Sequence, residues 1–143
     1  MKIDEVDEML DFLNKFDEDE RFVSYQPIEP IKIFNYKVEP SDCIINISKA
    51  LNCIDVAPIL TNYLEWLSVC KSKLVDYFQS KLTDYQNDWD DWFRNIEVYS
   101  VDITFLATDD FGATISFGES IFPDHIVDLD FEQFEIISVG LNG

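Results

Sequence analysis

The stretch FPDHIVDLDF, residues 122–131, changes to strict alternation at Ile126. Val127, Leu129 and Phe131 share one phase, while Ile126, Asp128 and Asp130 share the other. A period of two predicts a strand with one buried face and one solvated face. The same stretch holds the single histidine of the chain, His125, next to Asp124. Read as a strand, it predicts a sheet with an acidic outer surface. Read as a cluster of His and Asp, it points instead to catalysis or a metal site.

The flanking sequence supports the strand. FEIISVGL (134–141) follows a tight connection at Glu132–Gln133 and predicts a last strand. Upstream, Ile96 and Val98 alternate in one phase and Val101, Ile103 and Phe105 in the other. A bulge or break near Tyr99–Ser100 reconciles the two. ATDDFGA supplies a turn and TISF (114–117) a returning strand.

Further upstream, Asp55 is a good N-cap, and Pro58 falls in the first turn of the helix it opens. Val56, Ile59, Leu60, Tyr63, Leu64, Leu67, Cys70, Leu74, Tyr77 and Phe78 keep helical spacing, which predicts one long helix to about Leu82, with Trp66 widening its apolar stripe. DYQNDWDDWF (84–93) reads as a short helix or structured loop with both indoles on one side. IKIFNYKV (31–38) and CIINI (43–47) read as strands, although 43–52 also carries helical signals. Residues 3–16 show three- and four-residue apolar steps with acids in the first turns, which predicts an N-terminal amphipathic helix. DEDE (17–20) then reads as a polar connection. The fold class is α+β: a mainly antiparallel sheet packed against one long helix, with an additional N-terminal helix, in a single domain over 1–143.

The chain is 47% hydrophobic and 15% aromatic, so it folds, yet its formal net charge is −19. That imbalance destabilises the compact state through self-repulsion. It improves solubility, and it also attracts a basic protein partner. Direct nucleic-acid binding is disfavoured, because phosphates need clustered Lys and Arg, and the ten basic residues here are scattered singly. No run reaches the length of a membrane span, and the acidic N-terminus is unlike a signal peptide. Cys43, Cys53 and Cys70 form no C-x-x-C pair, which suits reduced, mostly buried thiols in a cytoplasmic protein.

Candidate chemistry is sparse. Asp128 and Asp130 stand about 7 Å apart by strand rise, a separation compatible with an inverting pair of carboxylates in a hydrolase. An acid of raised pKa needs an apolar pocket, and no loop in the sequence is suited to build one. One histidine cannot supply a zinc-enzyme His pair, the cysteines lack zinc-finger spacing, and the acidic turns do not follow the EF-hand pattern. No cofactor motif is present, and a cysteine nucleophile would have only His125 as its base. His125 is expected to cap the strand or to fix the preceding loop by hydrogen bonds. The reading is therefore a non-enzymatic binding protein, monomeric before complex formation. Its expected partner-binding residues are Asp88, Trp89, Asp90, Asp91, Trp92, Asp109, Asp110, Asp124, Asp128 and Asp130. Tryptophan is enriched at binding hot spots, with core packing as the alternative for either indole.

From about Asp55 onward the chain also resembles small bacterial proteins of domain-of-unknown-function families found among polymorphic-toxin immunity genes. The resemblance rests on a helix containing YLEWL (63–67), a Trp-containing joint, two strands, F-x-x-H-I at Phe122–Ile126, and a last strand ending in glycine. Asp124 stands where those relatives have a glycine before the histidine. The resemblance implies a cytoplasmic antidote that binds and neutralises a cognate basic toxin, such as a nuclease. It brings no catalytic residues. A nucleic-acid mimic or adaptor, and a hydrolase using Asp128 and Asp130, are the alternatives.

Overall fold

Alternation in the C-terminal half builds four long strands, and shorter apolar runs upstream extend them into one sheet. The computed structural model describes residues 12–85 and 87–142. Its strands are β1 (Leu13–Glu18), β2 (Phe22–Pro27), β3 (Ile31–Ile33), β4 (Tyr36–Val38), β5 (Cys43–Ser48), β6 (Glu97–Ala107), β7 (Asp110–Gly118), β8 (Ile126–Glu132) and β9 (Glu135–Asn142). Helices α1 (Cys53–Val69), α2 (Lys71–Lys81) and α3 (Trp89–Arg94) separate β5 from β6. The large sheet has seven strands in the order β1-β2-β5-β6-β7-β8-β9, and β3 pairs with β4 in a hairpin. Neighbours in the large sheet are antiparallel except β5 and β6, which run parallel. A parallel pair needs a long crossover, and the three helices provide it.

Register sorts the side chains into rows. Tyr25, Ile45, Ile103, Ala113, Phe131 and Ile136 are successive cross-strand partners on one face, as are Cys43, Val101, Ile115, Leu129 and Val139. Val56, Leu60, Tyr63 and Leu67 of α1 and Leu74 and Phe78 of α2 are buried in the same core. Tyr63 meets Phe111 edge-on at 4.9 Å, and Phe78 meets Phe117 at 6.1 Å. Trp66 stacks on Tyr63 and reaches Phe131 at 5.8 Å, so it does widen the stripe. The bulge near Tyr99 is present as a register shift between Val98 and Ser100.

Four expectations need correction. The long helix is two helices, broken at Cys70. The Leu67 carbonyl, which a continuous helix would offer to Lys71, instead accepts the backbone N–H of Phe34 at 3.1 Å. The helix also starts earlier than expected: Asn52, not Asp55, is the N-cap, accepting from the Ile54 N–H at 2.9 Å, so Pro58 lies beyond the first turn. The run 31–38 is a hairpin rather than one strand, turning at Phe34 and Asn35 with φ of 53° and 66°. Of the helix expected over 3–16, residues 1–11 lie outside the described ones, and from Leu13 the chain is strand. There, pairing with β2 around a shift between Lys15 and Asp17 overrides the local apolar spacing.

Candidate functional site

The helices and the β3–β4 hairpin pack on one face of the sheet, and the opposite face carries the other phase of every strand. Ile44, Asp102, Thr114, Asp130 and Ser138 form one row of partners across β5 to β9. Ser24, Asn46, Thr104, Gly112 and Glu132 form the next, and Ser100, Ser116, Asp128 and Gly140 a third. This face carries hydroxyls, amides and carboxylates, interrupted by Ile44 and by the exposed Leu106, Ile126 and Ile137.

Its aspartates are oriented by neutral donors. Asp130 accepts from Thr114 and Ser138, each at 2.7 Å. Asp128 accepts from Ser116 at 2.5 Å and from the Asn142 amide. Asp102 accepts from the Asn46 amide at 2.8 Å, and Asn46 in turn accepts from Ser24 at 2.6 Å. Burial, partly offset by Thr104 and Asn46, raises the Asp102 pKa above the usual carboxylate range. Among the described residues, none of these three aspartates forms an ion pair. A hydroxyl fixes a carboxylate without neutralising it, so the charge stays available to an incoming cation.

A shallow concavity of about 430 Å³ lies on this face, lined by Asp102, Thr104, Asp110, Thr114, Asp130 and Glu132 among others. The paired-carboxylate reading needs Asp128 and Asp130 at one concavity. Asp130 lines this one, whereas neither Asp128 nor His125 does. The His125 backbone N–H closes the preceding turn on the Phe122 carbonyl at 3.1 Å, so the expected loop fixing comes from its main chain.

The remaining expected residues fall elsewhere. Asp109 and Asp110 sit at the β6–β7 turn, and Asp124 is exposed before β8. Asp88 caps α3, accepting from the N–H groups of Asp90 and Asp91. Asp90 pairs with Lys71 at 2.6 Å and Asp91 with Arg94 at 3.1 Å, so both are already partly neutralised. Trp89 is half-buried and meets Trp92 edge-on at 5.1 Å. Trp92 is only 1% exposed and therefore serves as core, not as a surface anchor.

No protein family, curated protein or solved structure matches this chain. The site therefore has to be read from its own residues. Asp102 and Glu132 escaped the sequence reading, yet a signal for them exists. No Lys or Arg occurs after Arg94, whereas ten Asp and Glu do. The strands β6 to β9 are thus a segment of one sign, and their solvated phase concentrates it.

Proposed function

We propose that the protein captures a cationic protein on the open face of its sheet, acting as an immunity-type antidote to a basic toxin domain. The supporting observation is the set of carboxylates, Asp102, Asp128 and Asp130, held by neutral donors and, among the described residues, left without ion-pair partners. Carboxylates fixed in advance lose little side-chain freedom when a cation arrives, which lowers the ordering cost of binding. A one-signed surface also steers a basic partner into encounter. Nucleases hold phosphates with Lys and Arg, so a nuclease toxin complements this face well. Such an antidote acts in the cytoplasm, where the toxin would harm the producing cell. Among the described residues, no helix is long and apolar enough to cross a membrane.

The test is association kinetics with the basic protein that copurifies or is encoded beside it. Steering predicts an association rate that falls steeply as the Debye length shrinks from roughly 30 Å at 0.01 M salt to roughly 3 Å at 1 M. Asp128→Asn with Asp130→Asn should slow association and flatten that dependence. Salt-independent rates that both substitutions leave unchanged would sink electrostatic capture. Equal affinity for several unrelated basic proteins would replace a dedicated antidote with a nucleic-acid mimic.

A further inference from the structure

The two edges of the large sheet are treated differently. β1 carries Lys15, Asp17 and Glu18 and a register shift, all of which discourage further pairing. β9 has none of that protection beyond its first residues. From Ile136 to Asn142 it reads IISVGLN, without a charge or a proline. Its register with β8 is regular from Ser138 to Asn142. Ile137, Val139 and Leu141 are exposed, at 58%, 37% and 48%.

The two faces of this edge ask for different side chains. Val139 and Leu141 continue the buried rows through Leu129 and Val127 but run past the cover of the helices. Ser138, Gly140 and Asn142 continue the open-face rows beside Asp130, Asp128 and Ile126. Gly140, opposite Asp128, has open space where a side chain would stand. The strand start is held in place: the Tyr63 hydroxyl donates to the Gln133 carbonyl at 2.8 Å, and Lys73 pairs with Glu135 at 2.7 Å.

We propose that β9 accepts an added strand from the cationic partner, an extended segment that alternates apolar and basic residues. This rests on the reading of the open face as a cation-binding surface. Main-chain hydrogen bonds to this edge, unpaired among the described residues, supply affinity, and alternate side chains supply the choice of partner. The apolar residues of the segment cover Val139 and Leu141. A Lys or Arg on its other face passes over Gly140 toward Asp128, two strand spacings or roughly 9.6 Å away. A second copy fits poorly, because its own β9 would bring Asp128 and Asp130 toward their counterparts. Residues 1–11, MKIDEVDEMLD, are acidic as well and suffer the same repulsion.

The probe is a synthetic eight-residue peptide of alternating Lys and Val, with a block control of four Lys followed by four Val. Residue-resolved amide exchange of the full chain should show alternate amides of Ser138–Asn142 gaining protection with the alternating peptide and not with the block control. Gly140→Val, whose Cβ meets no neighbour, should leave the fold intact and weaken the alternating peptide by roughly threefold, the scale of one exposed ion pair. Asp128→Asn should weaken it similarly, and the double variant should show less than the summed loss. Peptide binding at the open face with no change at β9 overturns strand addition while sparing the proposed function. If neither peptide binds at low salt, the cation-binding reading fails first. Edge amides already protected in the free protein, or a dimer that forms through β9, would overturn the choice of occupant.

Discussion

The indole N–H of Trp92 donates to the Glu119 carboxylate at 2.9 Å, and both side chains are buried. Glu119 also accepts the backbone N–H groups of Ile121 at 3.2 Å and Phe122 at 2.7 Å. An ionised carboxylate is purely an acceptor, which suits a pocket that presents three donors. It ties α3 to the loop leading into β8, the strand that carries Asp128 and Asp130. Glu119→Gln would turn an amide N–H₂ toward one of these donors and leave it unsatisfied, at a cost of about 1–3 kcal/mol. Denaturant unfolding should show a lower midpoint at unchanged slope. An unchanged midpoint would remove the clamp from the account of this loop.

Phe34 holds φ at 53°, a left-handed conformation uncommon for a bulky residue, and is 1% exposed. Its ring meets Phe117 at 5.7 Å and Phe131 at 6.2 Å, while its N–H reaches Leu67. The hairpin is thereby locked between α1 and the sheet. Phe34→Ala keeps the strained backbone and loses the packing, so destabilisation should be about 3–5 kcal/mol. Asn35→Gly, at φ 66°, should be neutral or mildly stabilising by the same equilibrium measurement. A large loss from Asn35→Gly would contradict this account of the turn.

That hairpin also shows where the sequence stops being legible. The alternation of Ile126 to Phe131 reports burial directly, because a strand face is set by nearest-neighbour phase, so β8 and its acidic outer side could be read in advance. The break at Cys70 could not. Its cause is a donor at Phe34, far from Leu67 in sequence, and helical spacing continues through the break. The burial of Trp92 is equally non-local, since it depends on Glu119. The open face lies between these cases: Asp102 alternates with Val101 and Ile103, but its neutral donors become visible only through strand register.

Gly112 lies on the open face in the row with Thr104 and Glu132. A Cβ there would collide with the Phe131 carbonyl oxygen, a backbone atom that cannot swing aside. Gly112→Ala must therefore part β7 from β8 locally. We expect about 1–3 kcal/mol of destabilisation, the usual scale for overpacking. Faster amide exchange should be confined to β7 and β8 if the effect is local. A variant as stable as the parent would show that this close approach is unimportant.

Asp102 is the open-face acid whose charged form is disfavoured, chiefly by burial, with its pKa raised from 3.8. A raised folded-state pKa means that the native chain binds this proton more tightly than the unfolded chain. Asp102 therefore opposes folding at neutral pH, and that opposition fades as pH falls through the folded-state value and vanishes below about 3.8. Asp102→Asn can still accept from Asn46 and Thr104 through its amide oxygen and carries no charge to desolvate. It should be more stable than the parent at pH 7, with the difference closing on acidification. The same variant should bind a cationic partner more weakly, because it removes charge from the concavity shared with Asp130. Stability gained together with binding lost is the expected pair of outcomes, read by unfolding across pH and by association rate. If the stability difference instead widened toward low pH, burial would not be the dominant influence on Asp102.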